Sequence, residues 1–243
     1  MGRSVRLAVV TVALGCLMSA PAAWADPLDP EVPPRTSISV RTSLPNVQWG
    51  TPNEHDERGA LSLAKLYIVD YALRHGDRSP EDRALAERMI RYSDDGAANT
   101  LAAKYPNAIA EVAAEYGLRA THPHESWQMS TTSTADVADF LNKKRVSDPE
   151  SPILDWMSQP GSVAADGTVQ DWGTAWLPGV IGTKWGWSDY DTVEVASASY
   201  GMGFTVAAHT YGTGPEQTAD VLSAVPDVLT KLIARRLGLR VLE

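Results

Sequence analysis

Leu63, Leu66, Tyr67 and Leu73 fall at the spacing of one helix face, which predicts a helix from Ser62 to about His75. Ser62 and Lys65 stand three apart, so they share an edge at the border of that stripe. "RSPEDRALAERMIRY" predicts the next helix, with Ser79 as N-cap, Pro80 at the first position and acids behind it. "SDDGAAN" opens a third helical stretch running to about Lys104, and "NAIAEVAAEYG" a fourth, closed by Gly117. "LRATHPHESWQMSTTS" has no period and reads as a loop. "TADVADFLNKK" is a helix capped by Thr132 or Ser133, and "DPESPILDWMSQ" a short one ended by Pro160 and Gly161.

The pattern changes beyond residue 160. "VIGTKWGW", "TVEVASASYG" and "GFTVAAHTYG" are strand-like runs separated by turn residues, close enough for an antiparallel meander. A last helix over 215–237 has an apolar face and an internal Pro226. "SISV" at 37–40 and "NVQW" at 46–49 are candidate short strands near the other end. Strands from both ends of the chain can then join one sheet, drawn from 37–58 and 179–213, around a helical lobe at 60–160. This is an α+β pattern, an antiparallel sheet flanked by helices, within a single domain over 37–243.

The N-terminus changes this picture. "MGRSVR" is basic, "LAVVTVALGCLMSA" is apolar, and "AWA" precedes Asp26, which together read as a secretory signal peptide over 1–25. The apolar run is short for a membrane span, so the expectation is an extracytoplasmic protein with no stable span after cleavage. The alternative is a retained anchor. Residues 26–36, with four prolines, form an extended leader. Cys16 is the only cysteine. "ALGC" loosely resembles a lipoprotein box, but Ala13 stands where that motif prefers leucine. Cleavage after Ala25 leaves no cysteine, which excludes disulfides and thiol catalysis. The formal charge of −9 grows more negative once Arg3 and Arg6 are removed. That acidity argues against nucleic acid or an anionic membrane as partner.

Three short stretches carry candidate chemistry, in order: Ser62-Leu63-Ala64-Lys65, Ser93-Asp94-Asp95 and Lys184-Trp185-Gly186. Each has a plain reading. Ser62 can begin a helix beside a surface lysine whose stem snorkels along the protein. Ser93 can be an N-cap, with acids favouring the helix dipole. Lys184 can be an exposed strand charge. The ordered set, however, resembles the serine-x-x-lysine, Ser-Asp-Asn and Lys-Thr-Gly signature of class A β-lactamases and penicillin-binding proteins. "SDDGAAN" is similar to that superfamily's S-D-N-x-A-A-N, and the resemblance runs over roughly residues 59–237.

The resemblance implies a β-lactamase/transpeptidase-like fold with a reduced helical lobe. It implies Ser62 as nucleophile, Lys65 as base and Ser93 as proton relay. The backbone N–H groups of Ser62 and Trp187 would form an oxyanion hole, and Asp95, Lys184, Trp185 and Gly186 would meet the substrate. Serine needs a base to react at neutral pH, and a lysine serves only with a lowered pKa. No cofactor is expected. His122 and His124 make an H-x-H without an identified third ligand, so no metal is assigned.

Four departures qualify this. Asp95 stands where the superfamily has Asn, and an ionised carboxylate only accepts hydrogen bonds and favours a protonated lysine. Trp185 replaces a hydroxyl residue and is expected to add a ring at the mouth of the cleft. Ser93 follows Ser62 by 31 positions, where about twice that is expected. The Ω-loop is short, and Glu125 is the only nearby candidate for a deacylation base. Five tryptophans, Trp127, Trp172, Trp176, Trp185 and Trp187, are candidates for stacking on a ligand, although most tryptophans pack cores.

The expected function is an exported serine hydrolase or acyltransferase acting on a cell-wall peptide, another amide or an ester, and not an efficient β-lactamase. The alternative is a catalytically silent relative that binds cell-wall material or a protein partner. A glutaminase shares the serine-x-x-lysine logic, but the export signal opposes it. Oligomeric state is not legible.

Overall fold

The computed structural model describes residues 30–44, 47–189 and 193–237. The expected signal peptide and Cys16 lie outside the described residues. Strands β1 (Thr36–Thr42) and β2 (Gln48–Gly50) come first, and β2 is shorter than the expected run. Two-residue strands β3 (Arg58–Gly59) and β4 (Thr131–Thr132) pair in a separate small sheet, inside segments expected to be loops. Two residues have too little periodicity to read. The helices are α1 (Ala64–His75), α2 (Pro80–Arg91), α3 (Asp95–Lys104), α4 (Ala108–Tyr116), α5 (Thr134–Ser147), α6 (Pro152–Ser158) and α7 (Gly214–Leu237). Strands β5 (Val180–Trp187), β6 (Glu194–Gly201) and β7 (Phe204–Tyr211) form the expected meander.

The main sheet has the order β2-β1-β7-β6-β5, antiparallel throughout, so the first strand lies beside the last. Alternation gives the sheet two buried faces. Ala196, Ala198, Tyr200 and Ala207 pack on the helical lobe, with Leu66, Tyr67, Phe140 and Met157. Ile38, Val40, Val206 and Ala208 pack on the other face, against Val221, Val225 and Val228 of α7.

Local chemistry sets the helix ends. Ser79 Oγ accepts the Asp82 N–H at 3.2 Å, ahead of Pro80. Ser133, rather than Thr132, caps α5 by accepting the Asp136 N–H at 3.1 Å. Gly117 closes α4 at φ 66°, a left-handed conformation that costs glycine little.

The beginning of the first helix departs from its pattern. Residues Leu61–Leu63 form a 3₁₀ turn and α1 proper starts at Ala64. Leu61 has φ 51°, an uncommon conformation for a branched side chain. The turn packs beside β5, the edge strand of the sheet. That contact brings the start of the helix to the third candidate motif.

Candidate active site

The three candidate motifs converge at one cleft of about 560 Å³ whose lining includes Ser62, Ser93, Asp95, Trp127, Asp166 and Trp187. The 3₁₀ turn supplies Ser62, and α1 supplies Lys65 three residues later. The junction of α2 and α3 supplies Ser93 and Asp95, and β5 supplies Lys184. Ser93 has φ 52°, the second strained residue at this site.

Lys65 is not at the border of the apolar stripe. Its side chain is fully buried, and so is that of Lys184. Lys65 Nζ lies 2.8 Å from Ser62 Oγ, 2.7 Å from the Ser93 carbonyl, 3.2 Å from Ser93 Oγ and 2.5 Å from Asp95 Oδ1. It also sits 4.8 Å from the centre of the Trp127 ring. Lys184 Nζ donates to Ser93 Oγ at 2.8 Å and to the Trp185 carbonyl at 3.0 Å. The surface-lysine readings therefore fail for both residues.

Four acceptors around Lys65 exceed the three N–H donors of an ammonium. A neutral amine also offers three positions, two N–H donors and one lone pair, so in either state one contact is shared; in the neutral state the lone pair can take the Ser62 hydroxyl proton. Burial pushes the Lys65 ammonium below its ordinary pKa, and the Asp95 hydrogen bond and charge oppose that shift. Burial, then the charge of Lys65, hold Lys184 well below the ordinary lysine range. Two ammonium groups on one serine oxygen would repel in a buried site, so the geometry favours at least one neutral amine.

Gly186 lets β5 approach the nucleophile. A Cβ at this position would stand 2.9 Å from both Leu61 Cβ and the Ser62 nitrogen. The Ser188 N–H donates to the Glu194 carbonyl of the neighbouring strand at 3.1 Å. Strand alternation then turns the Trp187 N–H to the free edge, the side of the Ser62 turn.

Two expectations need correction. Trp185 does not place its ring at the mouth of the cleft. It pairs with Ser197 across the ladder, on the sheet face whose Ser197 and Gln217 side chains bond each other. Its ring is buried there, and its indole N–H donates to the Trp172 carbonyl at 2.9 Å. Alternation along β5 decides this, because Lys184 and Gly186 occupy the lobe face. Glu125 does not line the cleft. It lines a different hollow, with Ile68, Tyr105 and Pro106.

Sequence reasoning missed Asp166, whose Oδ2 accepts the Trp187 indole N–H at 3.1 Å and whose Oδ1 accepts the Thr168 N–H at 2.9 Å. Its neighbours in "ADG" are turn-forming residues that point to no chemistry. Asp189 and Gln128, also at the cleft, carried no signal. Of the five tryptophans, Trp127 and Trp187 line the cleft. Among the described residues, no group of three or more His, Cys, Asp and Glu is arranged to hold a metal, and no helix is long and apolar enough to cross a membrane.

No family model and no curated protein sequence matches the chain. Solved structures do. Penicillin-binding protein D2 from Listeria monocytogenes is similar at a TM-score of 0.63 and 17% identity, over 83% of this chain and 100% of that one. A D-alanyl-D-alanine carboxypeptidase from Mycobacterium tuberculosis has a TM-score of 0.61 and 18% identity, over 86% and 95% of the two chains. A class A β-lactamase from Mycobacterium abscessus has a TM-score of 0.56 and 15% identity, over 84% and 94%. The chain therefore has the fold shared by penicillin-binding proteins, D-alanyl-D-alanine carboxypeptidases and class A β-lactamases, and is a divergent example of it.

Proposed function

We propose that this protein is an exported serine hydrolase or acyltransferase that works through an acyl-enzyme at Ser62, on a cell-wall peptide, another amide or an ester. The supporting observation is the 2.8 Å contact between Ser62 Oγ and a buried, pKa-lowered Lys65. In this reading neutral Lys65 takes the hydroxyl proton as Ser62 Oγ attacks the substrate carbonyl. The Ser62 and Trp187 N–H groups receive the negative oxygen. Ser93, joined to both lysines, passes the proton from Lys65 to the leaving nitrogen or oxygen. The C–N or C–O bond breaks and the acyl group stays on Ser62. Water or an acceptor amine then releases it.

Glu125 lies away from the cleft, so it gives this second step no base. A slow release follows, which disfavours efficient β-lactamase turnover. One observation favours a second reading, that of a silent binding protein: the Asp95 carboxylate on Lys65 stabilises the protonated, non-basic form.

Intact mass measured after incubation with a penicillin and, separately, a fluorophosphonate tests both, with Ser62→Ala as control. A Ser62-dependent adduct that decays over hours is the expected result. A folded protein that gives no adduct with either probe is a silent binder.

A further inference from the structure

The charge on the lining of the cleft is one-sided. Asp94, Asp95, Asp166 and Asp189 line the cleft, and among the described lining residues there is no Lys, Arg or His. Two of these acids are matched. Asp94 pairs with Arg88, and Asp95 pairs with Lys65 beneath it. Asp166 and Asp189 are exposed and make no ion pair within 4 Å among the described residues, although the charge of Asp166 reaches the two buried lysines beneath the cleft. Asp166 is also held in place, because the Trp187 indole N–H and the Thr168 N–H bond its two oxygens. The Trp187 ring stands beside it at the cleft, set edge-on to Trp172 with centroids 5.8 Å apart.

A substrate carboxylate finds no cation on this surface. Lys184 is sealed under Ser93 and the Trp185 carbonyl, and position 185 turns a ring to the opposite face of the sheet. A fixed carboxylate beside an indole, with a second carboxylate on the same rim, is instead the chemistry that holds a cation.

We propose, on the reading that Ser62 forms an acyl-enzyme, that the substrate carries a primary ammonium or guanidinium group and no carboxylate in the part that lies along β5, with Asp166 and Asp189 receiving the charge against Trp187. The selectivity is electrostatic. Asp166 and Asp189 act on binding and approach and take no proton from the substrate.

The test uses two matched series of activated esters, one varying the acyl half and one the leaving half. Each series has a cationic, a neutral and an anionic member. The rate of Ser62 acylation is followed by intact mass, with Ser62→Ala as blank. In at least one series the cationic ester should react about tenfold faster than the neutral one, and the anionic ester slowest. The preference should shrink between about 0.02 and 0.5 M salt. Asp166→Asn keeps an acceptor for Trp187, and together with Asp189→Asn it should reduce the cationic-to-neutral ratio towards one. Equal or faster reaction of neutral or anionic esters in both series, with Ser62 still labelled, overturns the charge inference and leaves the acyl-enzyme reading standing. No Ser62-dependent label from any ester overturns both.

Discussion

Asp95 Oδ1 stands 2.5 Å from Lys65 Nζ, the same nitrogen that lies 2.8 Å from Ser62 Oγ. The carboxylate is half exposed and the ammonium fully buried. It raises the Lys65 pKa against the lowering that burial imposes. Asp95→Asn removes the charge but keeps an acceptor. The Lys65 pKa should then fall further, so the acid limb of the acylation rate should move to lower pH. The rate at pH 7 should rise, by about tenfold per unit of displacement while the base is mostly protonated. A pH–rate profile of Ser62 labelling checks this. A limb that stays in place or moves to higher pH refutes it.

Lys65→Ala tests the base itself. Loss of a positioned general base should slow Ser62 acylation by about 10²–10⁴-fold. A folded Lys65→Ala protein that labels Ser62 at the unsubstituted rate would show that Lys65 is not the base.

Gly186→Ala tests the approach of β5. The added Cβ would meet Leu61 Cβ and the Ser62 nitrogen at 2.9 Å, and backbone cannot yield as a side-chain tip does. Urea unfolding should show a loss of about 1–3 kcal/mol. Acylation should fall by more than that loss explains, because the clash widens the gap between the Ser62 and Trp187 N–H groups. A variant with normal acylation would separate β5 from the reaction.

Lys184 makes stability depend on pH. Its folded pKa is lowered far below the unfolded value, so the unfolded chain binds the extra proton. Stability therefore rises with pH across the window from the folded pKa up to about 10.4, at a slope of at most about 1.4 kcal/mol per pH unit. Lys65 adds to the slope with the same sign. Urea titrations between about pH 7 and 9.5 should show the rise, and Lys184→Met should flatten it. A wild-type protein whose stability falls across that window would contradict a neutral buried Lys184.

Much of the lobe was legible because its signals are local. Ser79-Pro80, the Gly117 stop and the alternation in the meander each act within a few residues, and each element stands where its pattern puts it. The two-residue pair of β3 and β4 was not legible, since its hydrogen bonds join segments more than seventy residues apart.

The candidate site divides in the same way. The sequence by itself determined which residues are available: a serine and a lysine three apart, a second serine before a helix, a lysine on a strand and an aspartate in place of an amide. Tertiary structure alone decided that both lysines are sealed from water and meet at Ser93 Oγ. It also decided that Trp185 turns away from the cleft while Asp166 enters it. Burial and the direction of a side chain depend on which surface packs against which. Those contacts join residues as far apart as Ser93 and Lys184, and no spacing along the chain encodes them.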